Sequence, residues 1–175
     1  MPRIELDVNP VDSITTDAIG KPGERVFFLQ ATSENQVYTL LLEKIQVLSL
    51  ATGLEEFFAD LAQRYPALSP IASAIDEEKM HIHAPVEPLF RVGDLAIAYD
   101  EEDDRVILIA REILGGEQRE EDVSVIRFWC TRDQMTNLGA WGADIASRGR
   151  PICPLCGQPM DPEGHFCPKK NGHSH

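Results

Sequence analysis

The stretch Gln36–Leu61 reads "QVYTLLLEKIQVLSLATGLEEFFADL", and the chain changes its hydrophobic period inside it. "QVYTLLL" (Gln36–Leu42) is rich in residues that favour a pleated, half-buried backbone, so it reads as a strand. From Glu43 onward Val47, Leu50, Ala51, Leu54, Phe57, Phe58 and Leu61 recur at three- and four-residue spacing. That spacing gathers them on one face of a helix running to Arg64. Gly53 lowers helix propensity there by roughly 1 kcal/mol relative to Ala without breaking the pattern. Pro66 stops the helix.

Working outward, "RVFFLQAT" (Arg25–Thr32) precedes "QVYTLLL" across a short "SEN", a hairpin signal. Before it, a polar stretch with Gly20, Pro22 and Gly23 punctuates the chain, and "RIELDV" (Arg3–Val8) alternates like an edge strand. On the other side, residues 66–88 hold Pro66, Pro70, Pro85 and Pro88 and read as a connection with room for one helical turn. Three strands follow, Phe90–Tyr99, Arg105–Leu114 and Asp122–Cys130. The acidic run Asp100–Asp104 falls at a hairpin loop and lacks the alternating ligands and turn glycine of a calcium loop. "TRDQ" (Thr131–Gln134) has the form of a capping box opening a helix to about Ser147.

The order β-β-β-α-β-β-β-α predicts an α+β body over residues 1–148, an antiparallel sheet with two helices packed on one face. Residues 149–175 form a separate tail. No internal repeat with a period of 20–50 residues is visible.

The chain has 43% hydrophobic and 26% charged residues and a net charge of −13. Residues 1–147 carry 12 Lys and Arg against 27 Asp and Glu, a balance of −15, whereas the remainder carries four against two, a balance of +2. An acidic body repels phosphate backbones, so nucleic acid is a poor partner, and the basic tail offers only modest attraction. No apolar run approaches the length of a membrane span, and "MPRIELDVNP" lacks the layout of a secretory signal. A cytoplasmic protein is expected.

The tail carries the clearest chemical signal. "CPLCGQPMDPEGHFCPKKNGH" (Cys153–His173) holds three of the four cysteines and two histidines. Cys153 and Cys156 form C-x-x-C-G, a zinc-knuckle pattern, and Cys167 adds a third thiolate. His165 is favoured as the fourth ligand, because residues two apart on an extended segment share a face. His173 must fold back across "PKKNG" and is the alternative, with His175 a distant third. A disulfide suits a reduced compartment poorly. A redox C-x-x-C belongs at a strand-to-helix junction rather than in a Pro- and Gly-flanked tail. Four closely spaced ligands describe a closed, structural Zn²⁺ site, and Glu163 in "DPEG" is a turn residue rather than a base. Without metal, a tail this poor in apolar residues buries too little surface to fold.

Other candidates are weaker. His81 and His83 place two imidazoles two residues apart with no third ligand nearby, which suits surface or packing roles. Cys130 reads as a small core residue. Arg91, Arg111 and Arg127 fall one in each of three successive strands and would bind a phosphorylated small molecule if their registers brought them together. Separate salt bridges are the plainer reading in so acidic a chain. No P-loop, dinucleotide, zincin or nucleophile-elbow motif is present.

"LLEKIQV" (Leu41–Val47), "LFRVGDLAIAYDEEDDRVILIARE" (Leu89–Glu112) and "GRPICPLCGQPMDPEGHFCPKKNGH" (Gly149–His173) together resemble an uncharacterised bacterial family catalogued as domain of unknown function 3090. The resemblance implies an association with a histidine-phosphatase-like and a lipid-kinase-like protein, and no catalytic residues. The expectation is therefore a non-catalytic binding or adaptor protein with a protein partner and a structural zinc site. A pocket where Arg91, Arg111 and Arg127 converge would point instead to an enzyme or a sensor.

Overall fold

The computed structural model describes residues 3–148 apart from 22, 72, 73 and 85. The strands are β1 (Glu5–Val8), β2 (Ser13–Ile19), β3 (Val26–Ser33), β4 (Gln36–Leu42), β5 (Val92–Asp100), β6 (Arg105–Glu112) and β7 (Val125–Cys130). The helices are α1 (Lys44–Arg64) and α2 (Arg132–Ser147), and short 3₁₀ turns occupy Glu77–Met80 and Glu120–Asp122. The α+β class stands, but the single antiparallel sheet does not. The strands form two sheets, ordered β1-β7-β6-β5 and β2-β3-β4.

Two features of the sequence hide this division. β2 ("SITTDAI") has Thr15 and Thr16 where a strand usually buries aliphatics. Both are buried because their hydroxyls are satisfied: Thr16 Oγ1 donates to Phe28 O at 2.8 Å, and Thr15 donates to Met80 O. The N-terminal strand, in turn, pairs parallel with β7 near the far end of the body, Glu5 opposite Val125 and Val8 opposite Phe128. No local hairpin signal announces so distant a partner.

The body is built twice from one unit. β2-β3-β4-α1 and β5-β6-β7-α2 are each an antiparallel three-stranded meander followed by a helix. The registers correspond residue by residue. Thr16 faces Leu29, which faces Leu40; Ile97 faces Leu108, which faces Phe128. Leu29, Leu40, Leu108 and Phe128 are all fully buried. Ala31 opposite Tyr38 matches Ala110 opposite Ile126 in the same way.

The strand-to-helix junctions match as well. Each helix starts after a single cap residue, Glu43 or Thr131, with a capping box completed by Gln46 or Gln134 at the third helical position. Each glutamine then donates across to the other unit, Gln46 Nε2 to Val92 O and Gln134 Nε2 to Val11 O, both at 2.9 Å. Backbone bonds lace the units at the same places. Leu41 N donates to Phe90 O at 3.0 Å, and Val11 N donates to Trp129 O at 3.1 Å.

The helices touch at corresponding small residues, Ala51 and Gly139. A Cβ at Gly139 would stand 3.3 Å from Leu54 Cδ1, a tight contact that glycine relieves. One continuous core, from Val8 to Ala146, lies between the helices and the inner faces of both sheets.

Candidate functional site

The metal ligands expected in the tail, Cys153, Cys156, His165 and Cys167 with His173 as alternative, lie outside the described residues. α2 ends at Ser147, and Arg148 fixes the point where the tail leaves the body. Its guanidinium sits over the Trp141 ring at 5.1 Å and pairs with Glu77 at 2.8 Å and Asp144 at 2.6 Å.

Arg111 and Arg127 lie diagonally on one face of β6 and β7, but the three strand arginines share neither an ion-pair partner nor a hollow. Arg91 precedes β5 and pairs with Glu43 at 3.5 Å. Arg127 reaches towards β1, to Glu5 at 3.4 Å and Asp7 at 3.7 Å, and holds the Glu5 carboxyl below its ordinary range with help from Arg3. Arg111 is exposed and lines a hollow of about 650 Å³ at the bulged start of β5. Asp94, Glu112 and Glu120 share that hollow, so one guanidinium stands among three carboxylates. A lining of that sign disfavours an anion.

His81 and His83 pack the segment after the first 3₁₀ turn onto β2 and β3. His81 Nδ1 lies 3.0 Å from Asp17 Oδ2, and its ring meets Trp141 edge-on with centroids 5.4 Å apart. The His83 backbone exchanges two hydrogen bonds with the Gln30 side chain, at 2.8 and 2.9 Å. Among the described residues no group of three or more His, Cys, Asp or Glu is placed to hold a metal ion. Cys130 is buried, and that burial pushes its thiol up to about 12, far from a nucleophile's range.

Part of the acidic run after β5 is structural. Asp104 accepts from Arg132 Nε at 2.9 Å and from Tyr99 Oη at 2.8 Å. Partial burial works to raise the Asp104 pKa, but the bonds from Arg132 and Tyr99 outweigh it and leave the carboxyl below its ordinary range. Burial first, and then Asp104, push the Tyr99 phenol up to about 12.

Two further clefts flank α1, and neither is visible in the sequence. The first, about 490 Å³, is an apolar groove between the helices lined by Leu48, Ala51, Phe58, Ile71, Ala140 and Ala143. The second, about 320 Å³, lies between α1 and β5, with Leu50, Gly53, Leu95 and Ile97 as its apolar wall and Ser49 among its polar lining. Gly53, a weak point of the helix by propensity, is where its face opens.

A family described as "Protein of unknown function (DUF3090)" matches residues 6–167. The chain belongs to this family. The DUF3090 match takes in Cys153, Cys156, His165 and Cys167 and ends short of His173. No curated protein and no solved structure matches the chain. Among the described residues no helix is long and apolar enough to cross a membrane.

Proposed function

We propose that this DUF3090 protein is a non-catalytic binding or adaptor protein of the cytoplasm. In this reading its tail is folded around one structural Zn²⁺ held by Cys153, Cys156, His165 and Cys167. The observation that carries the proposal is the spacing C-x2-C-x8-H-x-C, four N/S donors packed into a short segment.

The zinc knuckle and the helix pair together present the surface for a protein partner. The groove between α1 and α2 has apolar walls, Leu48 at its rim is 38% exposed, and the tail begins six residues beyond Ala143. An exposed apolar patch beside a metal-stiffened segment is the chemistry of protein contact rather than of catalysis.

Metal content and thiol accessibility of the full chain test the reading. One zinc per chain, protected thiols, and loss of metal in both Cys153→Ser and His165→Ala are expected. Retention of metal by His165→Ala passes the fourth position to His173. A reactive Cys153 with substoichiometric metal overturns the structural site.

A further inference from the structure

The two units differ at one pair of corresponding positions that faces a cleft. Counting from the matched caps Glu43 and Thr131, Trp141 of α2 corresponds to Gly53 of α1. Counting from the matched acceptors Val11 and Val92, Thr16 of β2 corresponds to Ile97 of β5, and the cross-strand registers agree. Contacts confirm the correspondence. Trp141 Nε1 donates to Thr16 O at 2.7 Å, and a Cβ at Gly53 would meet only Ile97 Cδ1, at 3.8 Å.

The second helix thus seals its strand with an indole that is 2% exposed, whereas the first leaves a cleft of about 320 Å³ in the same place. The strand residues respond accordingly. Ile14 and Thr16 are buried, while their counterparts Leu95 and Ile97 are only half-buried. Beyond the indole, β2 is covered by the segment around Met80–His83, through Thr15, Asp17 and Gln30. β5 is the edge of its sheet, and the residue before it, Arg91, bridges to β4. Past that bridge, half of its backbone N–H and C=O groups face away from β6.

We propose that the cleft where Gly53 of α1 faces Ile97 of β5 binds a planar heteroaromatic small molecule of indole size carrying a ring N–H. The ring occupies the space that Trp141 fills in the other unit, against Leu50, Leu95 and Ile97. The N–H donates to an edge carbonyl of β5, as the Trp141 indole does to Thr16 O. An apolar wall with a few polar groups, at the lower end of the roughly 300–1,000 Å³ usual for ligand pockets, has the character of such a site. The net charge of −13 favours a neutral or cationic ring over an anionic one.

The test is an indole titration of the ¹⁵N-labelled full chain followed by NMR. Saturable binding with a Kd below about 1 mM is expected, with shifts centred on the amides of Gly53, Leu95, Ala96 and Ile97. Benzofuran, which keeps the shape but lacks the N–H, binds about fivefold more weakly, the loss of one hydrogen bond. Gly53→Trp fills the cleft and raises the Kd by at least about tenfold, while Ala140→Trp in the helix groove leaves it unchanged. If Gly53→Trp fails to fold, Gly53→Leu serves the same purpose. Shifts centred on the helix groove, no saturable binding, or undiminished binding to a folded Gly53 variant overturns the proposal.

Discussion

The two βββα units share their registers, their capping boxes and the glutamines that brace each against the other. They differ in how tightly a helix sits on the first strand of the opposite unit. α2 closes on β2 through Trp141, whose ring also meets His81 and Arg148. At the same height α1 carries Gly53, whose missing side chain leaves a cleft beside Ile97 of β5. Backbone hydrogen bonds therefore set the architecture twice over, while one side chain decides whether the result is core or cleft.

The largest effect is expected from making the sealed side resemble the open one. Trp141→Gly removes a buried indole and its bond to Thr16 O, with a loss of about 3–5 kcal/mol in urea unfolding. A loss under about 1 kcal/mol would show that the indole does not seal that side. Next comes the helix crossing. Gly139→Val places a branched side chain against Leu54 and costs about 1–3 kcal/mol, whereas Ala51→Gly at the matching position costs about 1 kcal/mol from helix propensity.

The glutamines sharpen the correspondence itself. Gln46→Ala and Gln134→Ala each lose a capping-box bond and a bond to the other unit, so each should lower stability by about 1–2 kcal/mol. Equal losses are predicted, and a negligible loss at one of them breaks the equivalence of the junctions.

The smallest effect is electrostatic. The folded Asp104 carboxyl has a lowered pKa, so its contribution is present above the unfolded carboxylate pKa and fades as pH falls through the folded value. Asp104→Asn should flatten that acid-side decline in a series of unfolding midpoints. Tyr99 acts at the other end. Its phenol is raised from 10 to about 12, so the folded state holds the proton more tightly and stability declines as pH rises through that window.

Much of this body is legible from its residues. The period change at Glu43 marks the start of α1, and "TRDQ" marks the capping box of α2 with both its bonds. The hairpin across "SEN" forms as read, with Glu34 and Asn35 at positive φ in its turn. β2 escapes notice because, beside Ile14, its buried residues are Thr15 and Thr16, polar by composition and satisfied by hydroxyl bonds that the fold supplies. β1 escapes its partner because parallel pairing with a distant strand leaves no local mark.

The duplication is hidden for another reason. Matched core positions keep burial rather than identity, as Leu40 with Phe128 or Val47 with Met135, and the repeat is far longer than 20–50 residues. The proposed metal ligands are the reverse case, since Cys and His at short spacing suggest a site without any fold. The clefts depend on what is missing from a helix face, which hydrophobic periodicity does not record.

The most direct test of the unequal units is the urea midpoint of Gly53→Trp beside the wild-type chain. Filling the open side as Trp141 fills the closed one should raise stability by about 1–2 kcal/mol with an unchanged denaturant slope. A lower midpoint would contradict the account, because it would mean that α1 and β5 leave no room for the group their counterparts enclose.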